Sequence, residues 1–394
     1  MQLIFPINDV DEDFVAQLEY AMGFASRDVA CYEFAEDRTE LRVTVREGGD
    51  AAKVRENVEQ LVRRYAERKF GLKAVVHYER RRDLAPFDAW KEMVDRRWVT
   101  PVGTGHVVLR GLAADLMSLI DDKVERMFAR EFKAEREYFP STILCRTLDR
   151  CNHFTSFPEH MDFVAHLRED VDVLKAFSGE CGKGGWTPRA HDGRMGDVEF
   201  AITPSCCYHA YEAMEGWKLE HPGRCITVTV GCHRYEGASL TTLSRLRAFT
   251  MREVIWVGHP EYVKESRARA DDLIVEWAKE WDLDCTLENA NDMFFTDDYA
   301  VKASFQRQQE AKRELRMTIP QENRSISVFS SNFHSATFGR AFDIRLDGRP
   351  AASGCLGWGY ERWIYGIVSQ FGVEPAKWPD GLCKDLERHR TSRA

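Results

Sequence analysis

The chain changes its hydrophobic period several times, and its first stretch already shows both regular repeats. MQLIFPI alternates apolar and polar positions as a strand does. DVDEDFVAQLEYAMGF then spaces Phe14, Leu18 and Met22 along one face of a helix. DVACYEFA and TELRVTVRE return to a period of two, with Glu36-Asp37-Arg38 as the turn between them. DAAKVRENVEQLVRRYAERKFG sets Val54, Val58, Leu61 and Tyr65 on a second helical face with Gly71 as its stop, and LKAVVHYE follows as a last strand. The predicted order is βαββαβ.

That order predicts a ferredoxin-like split βαβ sandwich over residues 1–85. Acids and bases are mixed across it, nothing in it points to catalysis, and Arg80-Arg81-Arg82 reads as a solvated linker edge. From Pro86 to about Glu137, FDAWKEMVDRRW and LAADLMSLIDDKVERMFAREF are strongly amphipathic and predict helices. Residues 178–200 are rich in glycine and charge and predict a long loop. Within it GECGKGG lacks the Ser/Thr and the spacing of a Walker loop. YVKESRARADDLIVEWAKEWDLDC puts Leu273, Trp277 and Trp281 on one side of a helix, and TLENANDMFFTDDYAVKASFQRQQEAKRELRMTI predicts a strand, a loop and a charged helix or hairpin. SISVFSSNFHSATFGRAFDIRL alternates as two strands, and SGCLGWGYERWIYGIVSQFG reads as a strand running into a helix.

Composition narrows the classes of function. At 394 residues the chain has room for two or three domains with a full core. A formal net charge of -9 argues against a protein that lives on nucleic acid. No N-terminal apolar run and no stretch of about 20 apolar residues occurs, so neither secretion nor membrane spanning is expected. The 11 cysteines are odd in number and scattered, which predicts reduced thiols in the cytoplasm, some of them metal ligands.

The most informative stretch is TVTVGCHRYEGASLTTLSRLRAFTMREVIWVG, residues 227–258, which reads as strand, short polar loop and strand. Arg234 and Glu236 are two apart, and Arg245, Phe249 and Glu253 recur at intervals of four, so each set shares a face of an extended chain. Two arginines, two glutamates and an aromatic on one face suit the floor of a pocket for an anion with a planar ring. They also suit an amphipathic surface hairpin laced with salt bridges.

Arg-x-Glu, a loop, then Arg-xxx-Phe-xxx-Glu resembles motif 2 of class II aminoacyl-tRNA synthetases. The resemblance implies that Arg234 holds the α-phosphate of ATP, that Glu236 meets the adenine edge, and that Arg245 and Phe249 complete the nucleotide site, with Phe249 stacking on the base. Upstream, EYFPSTILCRTLDRCNHFTSFPEHM resembles motif 1, a long helix leading into a strand at a dimer interface, with Pro158 where the family's proline is expected. Downstream, Gly357-Trp358-Gly359-Tyr360-Glu361-Arg362 resembles motif 3, which implies that Arg362 grips the γ-phosphate from the first turn of a helix. The implied fold class is α+β: a class II antiparallel sheet flanked by helices over residues 86–394, with the small ferredoxin-like unit in front.

Cys207, Glu253 and Cys355 each lie on or beside a strand of that sheet, next to a motif already assigned. Cys206 and Cys207 are adjacent, and neighbours on an extended chain face opposite ways, so at most one of them serves a given metal. Two thiolates and a carboxylate suit Zn²⁺ with an open fourth position, and scattered cysteines also suit a plain buried core. TPSCCYH, SRLRAFTMREVIWVG, ENANDMFF, SSNFHSATFG and SGCLGWGYERW resemble the amino acid:[carrier protein] ligases, relatives of methanogenic-type seryl-tRNA synthetase with a Cys-Glu-Cys zinc. That resemblance implies Cys207, Glu253 and Cys355 as zinc ligands, with Glu253 also at the substrate, and Asn332 as an amino-acid contact. It implies Arg234 and Arg362 as the catalytic arginines, and ATP and Mg²⁺ as further requirements. Serines stand where an acidic Mg²⁺ ligand is expected ahead of motif 3, and Glu288 is the substitute considered.

The implied reaction is ATP-dependent activation of a small amino acid and its transfer to the phosphopantetheine thiol of a carrier protein, by a cytoplasmic homodimer. The alternative is a zinc-dependent seryl-type tRNA synthetase, or a paralogue with another acceptor. The loop GASLTTLS is short and uncharged and the N-terminal unit is small and mixed in charge, so tRNA is the less expected acceptor. That unit has no counterpart in the short ligases.

Overall fold

The structure, a computed structural model, describes residues 1–35, 37–67, 75–184, 193–237, 240, 242–290 and 311–392. Its first elements are β1 (Gln2–Pro6), α1 (Glu12–Met22), β2 (Val29–Phe34), β3 (Glu40–Val45) and α2 (Ala51–Ala66). The strands form a sheet of order β1-β3-β2. Alternate residues Leu3, Phe5, Leu41 and Val43 point to one side and pack on Phe14, Leu18, Val54, Val58 and Tyr65 of the two helices. Asp50 starts α2 by accepting from the Lys53 backbone N–H at 3.0 Å. Glu36 and Gly71, expected as a turn and a helix stop, lie outside the described residues.

The sixth element departs from the expected sandwich. β4 (Val76–Arg80) pairs antiparallel with the Cys285–Asn289 strand of the large sheet, so the small unit ends at βαββα. Side chains explain the choice. Tyr78 packs on the main core under Lys279, whose Nζ lies 5.5 Å from its ring. The basic run expected as a solvated edge is occupied: Arg80 pairs with Asp282, Arg82 Nη1 lies 2.6 Å from Asp282 Oδ2, and Arg81 Nη1 lies 3.3 Å from Asp284 Oδ1.

The larger part runs α3 (Ala89–Asp95), β5 (Val99–Gly103), β6 (His106–Leu109), α4 (Gly111–Val124), β7 (Glu135–Arg136), α5 (Val171–Gly184), α6 (Cys207–Ala213), β8 (Gly223–His233), β9 (Ala248–Gly258), α7 (Pro260–Glu280), β10 (Cys285–Asn289), β11 (Lys312–Ile319), β12 (Arg324–Ser335), β13 (Ala352–Gly359), α8 (Tyr360–Phe371) and α9 (Asp380–Thr391), with shorter pieces between. The eight-stranded sheet has the order β4-β10-β11-β12-β13-β9-β8-β7. It is antiparallel except where β7 joins β8.

Local detail departs from expectation in places. Both helices predicted before Glu137 form, as α3 and α4, and the β5–β6 hairpin lies between them. Residues 178–184 continue helix α5 where a loop was expected, and 185–192 lie outside the described residues. The segment read as two strands holds β12, ended by Ser335 in the left-handed region (φ 51°), then a helical turn, Thr337–Ala341, and only then a second strand of two residues, Arg345–Leu346. Most of the charged segment before β11 (291–310) also lies outside the described residues. The segment expected as motif 1, residues 137–161, holds only a short strand, Thr142–Leu144, and helical turns; a helix followed by a strand, α4 and β7, lies ahead of it. Pro158 opens a separate 3-10 turn, and Pro140 is the proline that follows β7.

The sheet's two faces do different things because its strands alternate. Val254, Trp256, Leu356 and Trp358 face the helices, where Trp277 and Trp363 stack at 4.5 Å and Phe128 packs edge-on to Trp358. Ile255, Val257 and Cys355 face the opposite way, toward Cys206, Cys207, Tyr211 and Phe338. Arg252 is on the helix side, 3% exposed, and bonds Asp121 at 2.7 Å and also Glu125. The second face carries the chemistry.

Candidate active site

β8 stops at His233 and β9 begins at Ala248, so Arg234, Glu236 and Arg245 sit in the connection. The shared-face expectation therefore holds on a strand only for Phe249 and Glu253. The turn still gathers the set. Arg245 Nε lies 3.2 Å from Glu236 Oε2, and the Arg234 guanidinium lies 5.5 Å from the Phe249 ring. Arg234 donates from Nε to the Pro204 carbonyl at 2.9 Å, which ties its base to the loop before α6. Of the connecting loop GASLTTLS, residues 238, 239 and 241 lie outside the described residues.

Motif 3 forms as expected, with β13 running into α8. Arg362 donates to the carbonyls of Ser244 (2.8 Å) and Ser327 (3.3 Å). Burial lowers its pKa to about 10; Arg245 and Arg234 push the same way, while Glu236 and Glu314 oppose. Two further positive charges thus bear on Arg362, with Glu236 as a partial counter-charge, an arrangement that suits an anion. Arg245 Nη1 is buried with no partner. The neighbouring Glu361 accepts the Thr250 N–H with both oxygens, at 2.9 and 3.0 Å, and burial raises its pKa to about 7.

On the same platform the donor atoms of Cys207, Glu253 and Cys355 all lie within 4.8 Å of one another, all three residues buried. They are brought together by three adjacent elements: Cys207 opens α6, Glu253 lies on β9, and Cys355 on β13 pairs with Ile255 and with Asn332 of β12. Cys206 points elsewhere, its Sγ 3.7 Å from that of Cys232, so one cysteine of the adjacent pair joins the cluster. The geometry is a helix start rather than the extended chain assumed from sequence. Ser205 Oγ sits 3.4 Å from Cys207 Sγ and 3.5 Å from Glu253 Oε1, while Asn332 Nδ2 is 3.6 Å from Cys355 Sγ. Glu253 Oε2 is buried with no partner, and burial raises its carboxyl to about 7, with the charge of Arg234 opposing. The Cys355 thiol is held well above the ordinary range by Cys207 beside it and by burial.

Two thiols and a carboxyl with an orphaned oxygen fit a tetrahedral divalent cation with one position left for a ligand. His334 belongs around this cluster too: its Nε2 lies 3.8 Å from Cys355 Sγ and its Nδ1 3.1 Å from the Tyr211 hydroxyl. Glu288 faces Glu314 across the β10–β11 pair and lies 3.6 Å from Arg316 Nε.

Sequence reasoning missed a second buried group. Tyr20 of α1 places its hydroxyl 3.2 Å from Glu159 Oε1 and 3.1 Å from His160 Nε2, and its ring 5.0 Å from the Arg245 guanidinium. Burial raises Glu159 to about 7. No periodicity links Tyr20 to a loop more than a hundred residues away, so no sequence signal announced it.

No family model matches the chain. An amino acid--[acyl-carrier-protein] ligase from Bradyrhizobium diazoefficiens is 28% identical over 270 residues, 66% of this chain and 81% of that protein. A type-2 serine--tRNA ligase from Methanopyrus kandleri is 24% identical over 317 residues, 76% of this chain; the chain spans only 60% of that relative's length. Among solved structures, M. kandleri SerRS in complex with A. aeolicus tRNASec superposes with a TM-score of 0.72 at 20% identity, over 98% of this chain and 77% of that one. The chain is thus a ligase homologue with the class II aminoacyl-tRNA synthetase fold, related both to amino acid--[acyl-carrier-protein] ligases and to type-2 serine--tRNA ligases.

Proposed function

We propose that the protein activates an amino acid with ATP and passes it to the phosphopantetheine thiol of a carrier protein. One observation carries this reading: the Cys207–Glu253–Cys355 cluster and the arginine set stand side by side, close enough for Arg234's charge to act on Glu253. A site for an amine and a site for a phosphate then share one face of the sheet, as adenylation of an amino acid requires.

In this reading Cys207, Glu253 and Cys355 hold Zn²⁺, which when bound supplies a Lewis acid that takes a free α-amine and refuses a protonated or acylated one. Asn332, beside Cys355, contacts the amino acid. Arg234 holds the α-phosphate, Phe249 stacks on adenine, Glu236 meets the adenine edge, and Arg245 and Arg362 neutralise the outer phosphates. The substrate carboxylate displaces pyrophosphate at the α-phosphorus, and a thiol then displaces AMP from the acyl carbon. Mg²⁺ accompanies the phosphates, with Glu288, paired across the sheet with Glu314, as its acidic ligand. Small amino acids such as glycine or alanine are the expected substrates, and a cytoplasmic homodimer the expected form. Among the described residues no helix is long and apolar enough to cross a membrane.

Transfer to tRNA is the second reading. It is favoured by the superposition of nearly the whole chain, N-terminal unit included, on a synthetase solved with tRNA. The carrier reading rests on the ligase relative, most of whose length the chain covers. A pyrophosphate-exchange panel over all amino acids, with and without a zinc chelator, tests activation. Intact-mass analysis of a holo carrier protein and of bulk tRNA then decides the acceptor, and efficient charging of tRNA would overturn the first reading.

A further inference from the structure

The N-terminal unit meets the large domain where the motif 2 connection leaves the sheet. Gly237, at φ +59°, touches it so closely that a Cβ there would stand 2.2 Å from the Gly23 carbonyl oxygen. Phe24 lies edge-on to Tyr235 at 6.5 Å and to Tyr20 at 5.4 Å. Tyr20, 7% exposed, is seated by its hydroxyl against Glu159 and His160, so its ring direction is fixed. That ring lies against the Arg245 guanidinium at 5.0 Å, while Glu236 holds the same guanidinium through Nε at 3.2 Å. The buried Nη1 is left without a partner.

We infer that the N-terminal unit is a working part of the nucleotide site, with Tyr20 as the positioning residue that aims Arg245 at the phosphates of ATP. The inference rests on the nucleotide assignment proposed above and extends it to a unit with no catalytic signature of its own. An arginine side chain has several rotamers, and an ion pair alone fixes one edge of the guanidinium. The aromatic face fixes its plane and keeps water from it, so the remaining donors are presented already oriented. ATP affinity then depends on how the accessory unit is seated.

The test measures Mg·ATP binding by calorimetry and the KM values for ATP and amino acid in pyrophosphate exchange. Tyr20→Leu, which keeps apolar volume but loses the ring, should raise the Kd and KM for ATP about tenfold, from the cation–π contribution at a desolvated site. The KM for the amino acid should stay put. Tyr20→Phe keeps the ring against Arg245 but loses the hydroxyl's seat on Glu159 and His160, so its ATP affinity should fall between those of wild type and Tyr20→Leu. In the wild-type protein, which bypasses any folding defect of the variants, ATP should slow amide exchange in residues 20–24. Equal ATP affinity in Tyr20→Leu and wild type, or no ATP-dependent protection of residues 20–24, overturns the inference alone. Wild-type protein that binds no ATP overturns the nucleotide reading together with it.

Discussion

Glu361 offers a quantitative test of the buried platform. It opens α8 with 6% exposure, and both carboxyl oxygens accept the same backbone N–H of Thr250 on β9. Burial dominates over this bond and over Arg362, so its pKa rises from 4.5 to about 7 in the folded protein. A carboxyl whose folded pKa exceeds its unfolded value stabilises the fold when protonated. That contribution is complete below pH 4.5 and fades as the pH rises through 7. Integrated between pH 5 and 8, it amounts to roughly 2–3 kcal/mol. Glu361→Gln carries no such proton yet keeps an oxygen for Thr250. Urea unfolding of both proteins at pH 5, 6, 7 and 8 should therefore show the wild type losing about 2–3 kcal/mol relative to the variant across that range. Other carboxyls with raised pKa values, Glu159 and Glu253, cancel in the difference. Parallel stability curves within about 0.5 kcal/mol, the usual additivity error, would show that Glu361 is not protonated in the fold.

Other expectations concern the site and its support. Arg234→Ala should lower amino-acid-dependent pyrophosphate exchange by about 10²–10³, as for a lost transition-state donor, with near-UV circular dichroism unchanged. Cys355→Ala should drop zinc from about one per chain to a trace by mass spectrometry and abolish exchange, while Cys206→Ala, whose thiol faces Cys232, should keep the metal. Arg252→Ala leaves Asp121 and Glu125 without their buried cation and should cost about 3 kcal/mol in chemical denaturation, with a smaller loss pointing to water taking the guanidinium's place.

Much of this architecture was legible in the chain because period and chemistry agreed. Leu273, Trp277 and Trp281 mark one buried side of α7 and its end, and Gly357–Arg362 marks a strand that turns into a helix. Cys207, Glu253 and Cys355 were named from the resemblance, and β9 and β13 bring the last two together through a register that no sequence repeat encodes. What stayed hidden depends on partners distant in sequence. β4 alternates like any edge strand, and only Asp282, Asp284 and the Tyr78 contact decide which sheet it joins. The β5–β6 hairpin is short, and its anchor is remote: the Gly105 carbonyl accepts from Arg247 and Ala248. Strand ends misled too, since Arg234 and Arg245 sit past the last paired residues.

The placement of β4 bears on how the protein can be divided. Among the described residues the small unit's hydrophobic cluster ends at Ala66, whereas Val76–Arg80 belongs to the outer rim of the large sheet. Removing residues 1–85 as a tidy module would strip that rim and bare the backbone amides of β10 to solvent and to neighbouring molecules. Exposed sheet rims of that kind associate. Cutting ahead of Val76 leaves the rim sheathed, so two truncations ten residues apart should differ sharply: the longer fragment stays dispersed and the shorter one clumps.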